Sequence, residues 1–198
     1  MSSALLLSGG MDSIALLWLE RPALAITIDY GQRAAQSEMQ ASRAVCAEIG
    51  IEHVGVSADC STLGSGDMGS REPLSFAPAS DWWPYRNQLL ATLAGPTALG
   101  RHCKELLFGT VASDASHVDG TQEFYRRLSA LMEFQEGNLS VRAPAAYLAT
   151  SELIRRSGIP REALSWAHSC HISNLACGHC RGCVKHFEVT EELYGEAY

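Results

Sequence analysis

The chain has 198 residues, of which 46% are hydrophobic and 19% are charged, and this balance is typical of a globular protein. A net charge of -7 counts against a nucleic-acid partner, because polynucleotide binding needs basic surface. The first residues contain neither a basic segment nor a long apolar run. We therefore expect no signal peptide, no membrane span and a cytoplasmic location.

Short apolar runs alternate with helical periodicities along the chain. The runs predict strands at residues 4–7, 23–29, 51–56 and 106–111, and an extended segment at 141–148. The periodicities predict helices at residues 14–20, 32–49, 87–100, 123–136 and 151–157, and a last helix from about residue 184. Residues 60–84 are rich in Gly, Ser and Pro and are predicted to form a long functional loop. This alternation predicts a doubly wound α/β fold with a mainly parallel sheet, whose ligands bind beyond the carboxyl ends of the strands.

The first predicted strand and helix are joined by a loop of six residues. Its sequence is Ser8-Gly9-Gly10-Met11-Asp12-Ser13. Glycines permit unusual backbone conformations and a close approach to phosphate. The N–H groups at the helix start and the hydroxyls of Ser8 and Ser13 can bind an anion, and Asp12 can hold Mg²⁺ or orient the loop. The loop predicts a phosphate site, against the plainer alternative of a turn with a serine cap.

Polar side chains also follow the second predicted strand and open a later helix. Asp29, next to Tyr30, is placed to bind a ribose or a metal, and Arg33 is suited to a phosphate or a carboxylate. Arg86 and Asn87 can present a guanidinium fork and an amide to a ligand. The alternative for each segment is a solvent-exposed helix start.

A further polar stretch follows the fourth predicted strand and suggests recognition of a small ligand, although each residue alone also fits a solvated loop. Its candidate binding residues are Asp114, Asp119, Glu123 and Phe124, with His117 between them.

Four of the seven cysteines lie close together near the C-terminal end: Cys170, Cys177, Cys180 and Cys183. Two-residue spacers suit tetrahedral thiolate ligation, so we predict a closed, structural Zn²⁺ site that its segment needs in order to fold. A redox pair or an iron–sulfur cluster is the alternative, and a nearby histidine could replace one cysteine.

The order of these motifs resembles that of the 7-cyano-7-deazaguanine synthase (QueC) family of the PP-loop ATP pyrophosphatases, nearly from end to end. Residues 8–13 match its PP-loop, residues 29–33 its second motif with Glu38 beyond, and residues 85–87 its Gly-Arg-Asn-like motif. The segment from Gly109 to Phe124 is similar to its substrate-recognition stretch, and the four cysteines to its zinc site.

The resemblance implies a single PP-loop domain over residues 1–198 with a zinc-binding segment at 166–186, and the cofactors ATP, Mg²⁺ and Zn²⁺. In such an enzyme ATP adenylates the carboxylate of 7-carboxy-7-deazaguanine, ammonia attacks, and a second activation gives the nitrile. The implied catalytic residues are Ser8, Asp12, Ser13 and Arg33. The implied nucleotide-binding residues are Ser8, Gly9, Gly10, Met11, Asp12, Ser13, Asp29 and Tyr30. The implied deazapurine contacts are Arg86, Asn87, Asp114, Asp119, Glu123 and Phe124.

The chain departs from the family in its shorter length, chiefly over residues 60–84, and at one position. Thr150 stands where the family usually carries a lysine, and neither Lys104 nor Lys185 can be moved there by a small realignment. A cation that helps to neutralise phosphate is therefore missing, or it is supplied by Mg²⁺, another subunit or an arginine, with Arg142 and Arg155 as the conceivable stand-ins.

This departure and a shortened loop region leave three alternatives to the family reaction. The chain could stop at the amide or join the deazapurine to an amine of a protein or other macromolecule. It could be a tRNA-thiolating relative, which its negative charge disfavours, or a non-catalytic nucleotide-binding partner subunit. We expect a homodimer, because relatives of this type are often dimeric.

Overall fold

A computed structural model describes residues 2–69 and 71–195. Five parallel strands form a sheet in the order β3-β2-β1-β4-β5. The strands are β1 (Ser3–Leu6), β2 (Leu24–Asp29), β3 (Glu52–Ser57), β4 (Glu105–Phe108) and β5 (Ser140–Arg142). Leu5 of β1 pairs with Ala25 on one side and Leu107 on the other. The predicted parallel sheet is confirmed.

The helices are α1 (Met11–Glu20), α2 (Ala35–Ile49), α3 (Arg86–Gly100), α4 (Gln122–Glu133), α5 (Thr150–Ser157), α6 (Arg161–Leu164) and α7 (Arg181–Tyr194). Within residues 2–69 and 71–195, no helix has the length and apolar character needed to cross a bilayer.

Both faces of the sheet are buried, because alternate strand residues point into separate cores. Leu5 and Leu7 pack with α1, α2, α5, α6 and α7 on one face. Ala4 and Leu6 pack with α3 and α4 on the other. This two-sided burial explains why the strands are almost continuously apolar, and it confirms the doubly wound α/β fold.

Two predicted elements differ from the structure. Helix α3 agrees with its prediction: it continues through Pro96, and Ala91, Ala94 and Ala98 are fully buried against the sheet. The fourth strand ends at Phe108 rather than at residue 111. The segment predicted as extended over 141–148 leaves the sheet after Arg142 and turns, and α6 was not predicted.

The predicted long loop is a packed segment with two short 3₁₀ turns, Ser61–Leu63 and Gly66–Met68. Trp83 anchors it with only 1% of its surface exposed. The indole packs edge-on against Tyr30, with ring centroids 4.8 Å apart. The segment therefore forms a wall over the carboxyl end of the sheet.

Candidate functional site

A cavity of about 590 Å³ opens beyond the carboxyl ends of β1 and β4. The crossovers run in opposite directions on either side of this point, because β2 and β3 lie to one side of β1 and β4 and β5 to the other. Doubly wound sheets bind ligands at this reversal of strand order. The volume of this cavity is in the ordinary range for small-ligand sites.

The loop of residues 8–13 forms the floor of this cavity, and its two glycines have different roles. Gly9 has φ +72°, and a Cβ there would lie 2.6 Å from the Glu38 carbonyl oxygen. Gly10 has φ -80° and ψ 161°, an ordinary extended conformation, and its nearest neighbours to a Cβ are 3.6 Å away or more. Only position 9 therefore has a backbone conformation and a close contact that require glycine, whereas the sequence suggested such a requirement at both positions.

The N-terminus of α1 faces the cavity behind two serines. The hydroxyls of Ser8 and Ser13 are 3.0 Å apart, and Ser13 Oγ also donates to the Gly10 carbonyl. The end of β4 approaches so closely that a Cβ on Gly109 would lie 2.7 Å from Ser13 Cα. Free N–H groups at a helix start and adjacent hydroxyls form a suitable anion site.

Asp12 of this loop forms an ion pair with Lys185 of α7. Lys185 Nζ lies 2.8 Å from Asp12 Oδ2 and 3.9 Å from Asp114 Oδ1. Burial raises the pKa of Asp12, although Lys185 acts in the opposite direction and Thr150 beside it also lowers the pKa. Asp12 Oδ1 has no partner of ordinary hydrogen-bond geometry among the described residues.

Lys185 was missed as a site residue because it lies 173 positions from Asp12 in sequence. The two arginines suggested as stand-ins are elsewhere. Arg142 pairs with Glu105 and Glu20, and Arg155 pairs with Glu192. Neither arginine lines the cavity, so that expectation was wrong.

The opposite wall of the cavity carries Arg86 and Asn87 at the start of α3. Asn87 Nδ2 donates to the Asp119 carbonyl at 2.8 Å and to the Tyr125 hydroxyl at 3.2 Å. Both amide hydrogens are thus used inside the protein, and Asn87 fixes this wall. Burial opposes the charge of Arg86, but Tyr30, Asp119 and Asp114 raise its pKa, so its guanidinium stays charged in the cavity.

Glu38 of α2 also lines the cavity, beside the residues that follow β2. Its Oε2 accepts a hydrogen bond of 2.7 Å from Gln32 Nε2. Burial raises the pKa of Glu38 to about 7, with the Gln32 hydrogen bond and Arg86 opposing the rise and Asp29 adding to it. The same burial raises the pKa of Tyr30. A carboxyl group here can change charge near neutral pH.

The four predicted cysteine ligands come together as a group able to hold a metal ion. The sulfur atoms of Cys170, Cys177, Cys180 and Cys183 all lie within 4.8 Å of one another. Backbone N–H groups of His171, Cys180 and Cys183 donate to these sulfurs over 3.3–3.4 Å. Such donors stabilise thiolates, so the donor set fits a metal cation.

This cysteine group is attached directly to the cavity. The N–H of His168 donates to the Gly9 carbonyl at 2.8 Å. Cys180 caps the N-terminus of α7, whose next turn carries Lys185. Arg181 reaches the long loop and the segment after β4, through Asp81 and Ser116. The metal segment therefore positions one side of the cavity.

Comparison with known proteins gives the family. The profile of the queuosine biosynthesis protein QueC matches residues 2–192. The chain belongs to the QueC family. It is 29% identical to 7-cyano-7-deazaguanine synthase from Methanosarcina barkeri, with 93% of this chain and 91% of the relative covered. It is 30% identical to the synthase from Desulforudis audaxviator, with 92% and 93% covered. The predicted family and the expectation of an enzyme within it are confirmed.

A solved structure with a related fold is the U34-tRNA thiolase NcsA from Methanococcus maripaludis with its [4Fe-4S] cluster. The TM-score is 0.54 at 14% identity, over 98% of this chain and 66% of that one. At this identity the likeness concerns the fold alone, which the two proteins share.

Some residues expected to act in the QueC-type site lie outside the main cavity. Asp29 and Arg33 line a second, more open cleft beside α2. Asp29 there accepts a hydrogen bond from the Gly31 N–H. Glu123 is exposed and forms ion pairs with Arg126 and Arg127 on α4. Phe124 is half-buried and packs edge-on against Tyr125 of the core.

The remaining predicted positions are at the main cavity. The lining includes Ser8, Gly10, Met11, Asp12, Ser13, Tyr30, Arg86, Asn87, Asp114 and Asp119. Gly9 lies beneath them against α2. The cavity thus brings together loop, helix-start and post-strand residues that are far apart in sequence.

Proposed function

We propose that this chain uses ATP to adenylate the carboxylate of 7-carboxy-7-deazaguanine and transfers the activated acyl group to an amine, giving 7-cyano-7-deazaguanine when the amine is ammonia. The observation that carries the proposal is the facing arrangement of the residue 8–13 loop and Arg86 across one cavity. A phosphate-binding floor opposite a charged guanidinium suits a reaction between a nucleotide and a carboxylate.

The loop side would hold the ATP phosphates. Backbone N–H groups at the start of α1 and the hydroxyls of Ser8 and Ser13 would bind them. Asp12, whose Oδ1 has no partner of ordinary hydrogen-bond geometry among the described residues, would hold a Mg²⁺ that offsets the phosphate charge. The roles expected of Arg33 and Asp29 require a ligand that extends toward the second cleft.

The Arg86 side would hold the deazapurine acid. Its guanidinium would pair with the substrate carboxylate, while Asp114 and Asp119 offer acceptors for ring N–H groups. A carboxylate oxygen attacks the α-phosphorus and pyrophosphate leaves. Ammonia then attacks the acyl carbon, AMP leaves and the amide forms. A second adenylation, on the amide oxygen, lets AMP leave with loss of two protons to give the nitrile.

The metal in the cysteine group is proposed to be Zn²⁺ in a structural role. Four thiolates at about 2.3 Å from one ion form a tetrahedron with edges of about 3.8 Å. The Cys177–Cys183 and Cys170–Cys180 sulfur distances are 3.9 and 4.0 Å. This compact group suits a single ion, and four thiolates leave no position for a substrate.

A sulfur-transfer function is less well supported. Outside the metal group, the described cysteines are Cys46, Cys60 and Cys103, and none of them lines the cavity. Burial raises the pKa of the Cys46 thiol to about 12, which makes it a poor nucleophile. We also propose the homodimer and the cytoplasmic location that family resemblance suggests, the first of which light scattering can measure.

Mass spectrometry of the products tests the reaction. The purified zinc-loaded protein is incubated with ATP, Mg²⁺ and 7-carboxy-7-deazaguanine, with and without ammonium, beside the Asp12→Asn variant. We expect free nitrile only with ammonium and only from the unmodified chain. Accumulation of the amide, or of a deazapurine adduct on a protein amine, would support the corresponding alternative. Absence of AMP and of any product would refute the proposed activity and favour a non-catalytic subunit.

A further inference from the structure

Lys185 extends from α7 into the nucleotide side of the cavity. The chain has two lysines. The other, Lys104, precedes β4 at the amino end of the strands, where its backbone N–H donates to the Ser2 carbonyl. The Lys185 ammonium is 2.8 Å from Asp12 inside the phosphate loop, and 30% of its side chain remains exposed. It is therefore held next to the loop and is still accessible to a ligand.

Acidic side chains outnumber lysines and arginines around the cavity, so a cation next to the phosphate loop is important for binding an anion. Six acids line the cavity: Asp12, Glu38, Asp81, Asp114, Asp119 and Glu188. The lysine and arginine side chains that line it are Arg86, Arg181 and Lys185. Arg181 is engaged by Asp81 and Ser116, and Arg86 belongs to the opposite wall. Among the described lysine and arginine side chains, Lys185 is the cation that contacts the loop.

We propose that Lys185 binds the departing pyrophosphate of ATP, and so supplies from α7 the positive charge that Thr150 cannot supply from α5. As the substrate oxygen bonds to the α-phosphorus and the bond to the bridging oxygen breaks, negative charge accumulates on the β- and γ-phosphates. The ammonium, held ready by Asp12, moves to these oxygens. Fixed positive charge at the point where negative charge develops lowers the barrier.

This inference rests on the proposed adenylation but makes its own prediction about ligand selectivity. A lysine that contacts the β- and γ-phosphates favours ATP and pyrophosphate over AMP. A lysine that only stabilises the loop through Asp12 affects ATP and AMP equally. Calorimetric dissociation constants for ATP, pyrophosphate and AMP therefore separate the two roles.

The first experiment compares Lys185→Met and Lys185→Arg with Lys104→Met as the matched control, all loaded with metal. For Lys185→Met we expect about 10- to 100-fold weaker ATP binding, unchanged AMP binding, and a loss of about 100-fold in kcat for substrate-dependent ATP–pyrophosphate exchange. Lys185→Arg retains the preference for ATP over AMP, and Lys104→Met behaves as the unmodified chain. Equal weakening of ATP and AMP, or no change in either, overturns the proposal.

The second experiment needs no variant, because two lysines are easily distinguished by peptide mass spectrometry. The folded protein is acetylated briefly with an amine-reactive ester, alone or with Mg²⁺ and either ATP, pyrophosphate or AMP. ATP and pyrophosphate should protect Lys185 and leave Lys104 unchanged, whereas AMP should protect neither. Equal protection by AMP and ATP, or none by either, would refute the proposal. If ATP protects Lys185 but no substrate-dependent ATP–pyrophosphate exchange occurs, Lys185 contacts the phosphates as proposed, and the proposed adenylation is refuted.

Discussion

Glu38 provides a quantitative test of the cavity, because its charge depends on its surroundings. Burial raises its pKa from 4.5 to about 7, against the opposing effects of Gln32 and Arg86. The native state consequently holds a proton on Glu38 between these pH values, where the unfolded chain does not. Glu38→Gln replaces the carboxyl group with a neutral amide of similar shape, which imitates the protonated form at every pH.

The sign follows from proton linkage. A group with a raised native pKa contributes stability that is fully present below pH 4.5 and lost as the pH rises through about 7. The whole pKa displacement corresponds to about 3 kcal/mol, of which about 2.5 kcal/mol is lost between pH 5 and pH 8. Glu38 is only half-buried and lines an open cavity, where solvent screens the group, so we expect a loss of about 1–2.5 kcal/mol.

Urea denaturation at pH 5 and pH 8 measures this loss. The free energy of unfolding of Glu38→Gln, minus that of the unmodified chain, should increase by about 1–2.5 kcal/mol from pH 5 to pH 8. Glu48→Gln is the control, because Glu48 is exposed on the same helix. For Glu48→Gln, the free energy of unfolding relative to the unmodified chain should be nearly the same at pH 5 and pH 8. If this relative free energy is also the same at both pH values for Glu38→Gln, burial does not keep Glu38 neutral, and the arrangement of the cavity wall around Glu38 is wrong.

Three further perturbations separate the parts of the site. Gly9→Ala should lower the free energy of unfolding by more than about 1–2 kcal/mol and abolish ATP binding, while Gly10→Ala should keep the fold; equal effects in thermal denaturation and calorimetry would contradict the different roles of the two glycines. Asn87→Ala should cost about 1–3 kcal/mol because one buried and one partly buried acceptor lose their donor, and exposed Gln88→Ala should cost little; similar melting temperatures for the two variants would refute that role. Chelation, or Cys177→Ser, should remove one metal ion per chain and lower both Tm and ATP affinity, whereas Cys60→Ser should keep the ion in elemental analysis; full ATP affinity without the metal would show that the cysteine group does not position the cavity.

The fold was predictable because its main signals are local. Almost continuous apolar strands alternate with periodic helices, and Gly9 lies at the turn between β1 and α1, where its φ is positive. The close spacing of Cys177, Cys180 and Cys183 similarly predicted the ligand group. Each of these features is contained within a short stretch of sequence.

The rest of the site depends on distant contacts that the sequence does not reveal. Lys185 reaches Asp12 because α7 starts at the cysteine group, and the segment before that group is hydrogen-bonded to the phosphate loop through His168 and Gly9. On α4 the sequence instead predicted site residues that lie outside the cavity. Thr121 caps this helix, and the helix orientation turns Phe124 toward the core and Glu123 toward solvent. A motif therefore identified the segment in each case, while packing decided which side chains face the cavity.

The most direct test of the proposed adenylation follows an oxygen atom. The protein is given ATP, Mg²⁺, ammonium and 7-carboxy-7-deazaguanine labelled with heavy oxygen in its carboxylate, and the AMP is analysed by mass spectrometry. If the carboxylate attacks the α-phosphorus, cleavage of the acyl–oxygen bond by ammonia leaves one heavy oxygen on the AMP. Unlabelled AMP, or ADP and phosphate in place of AMP and pyrophosphate, would contradict adenylation of the carboxylate.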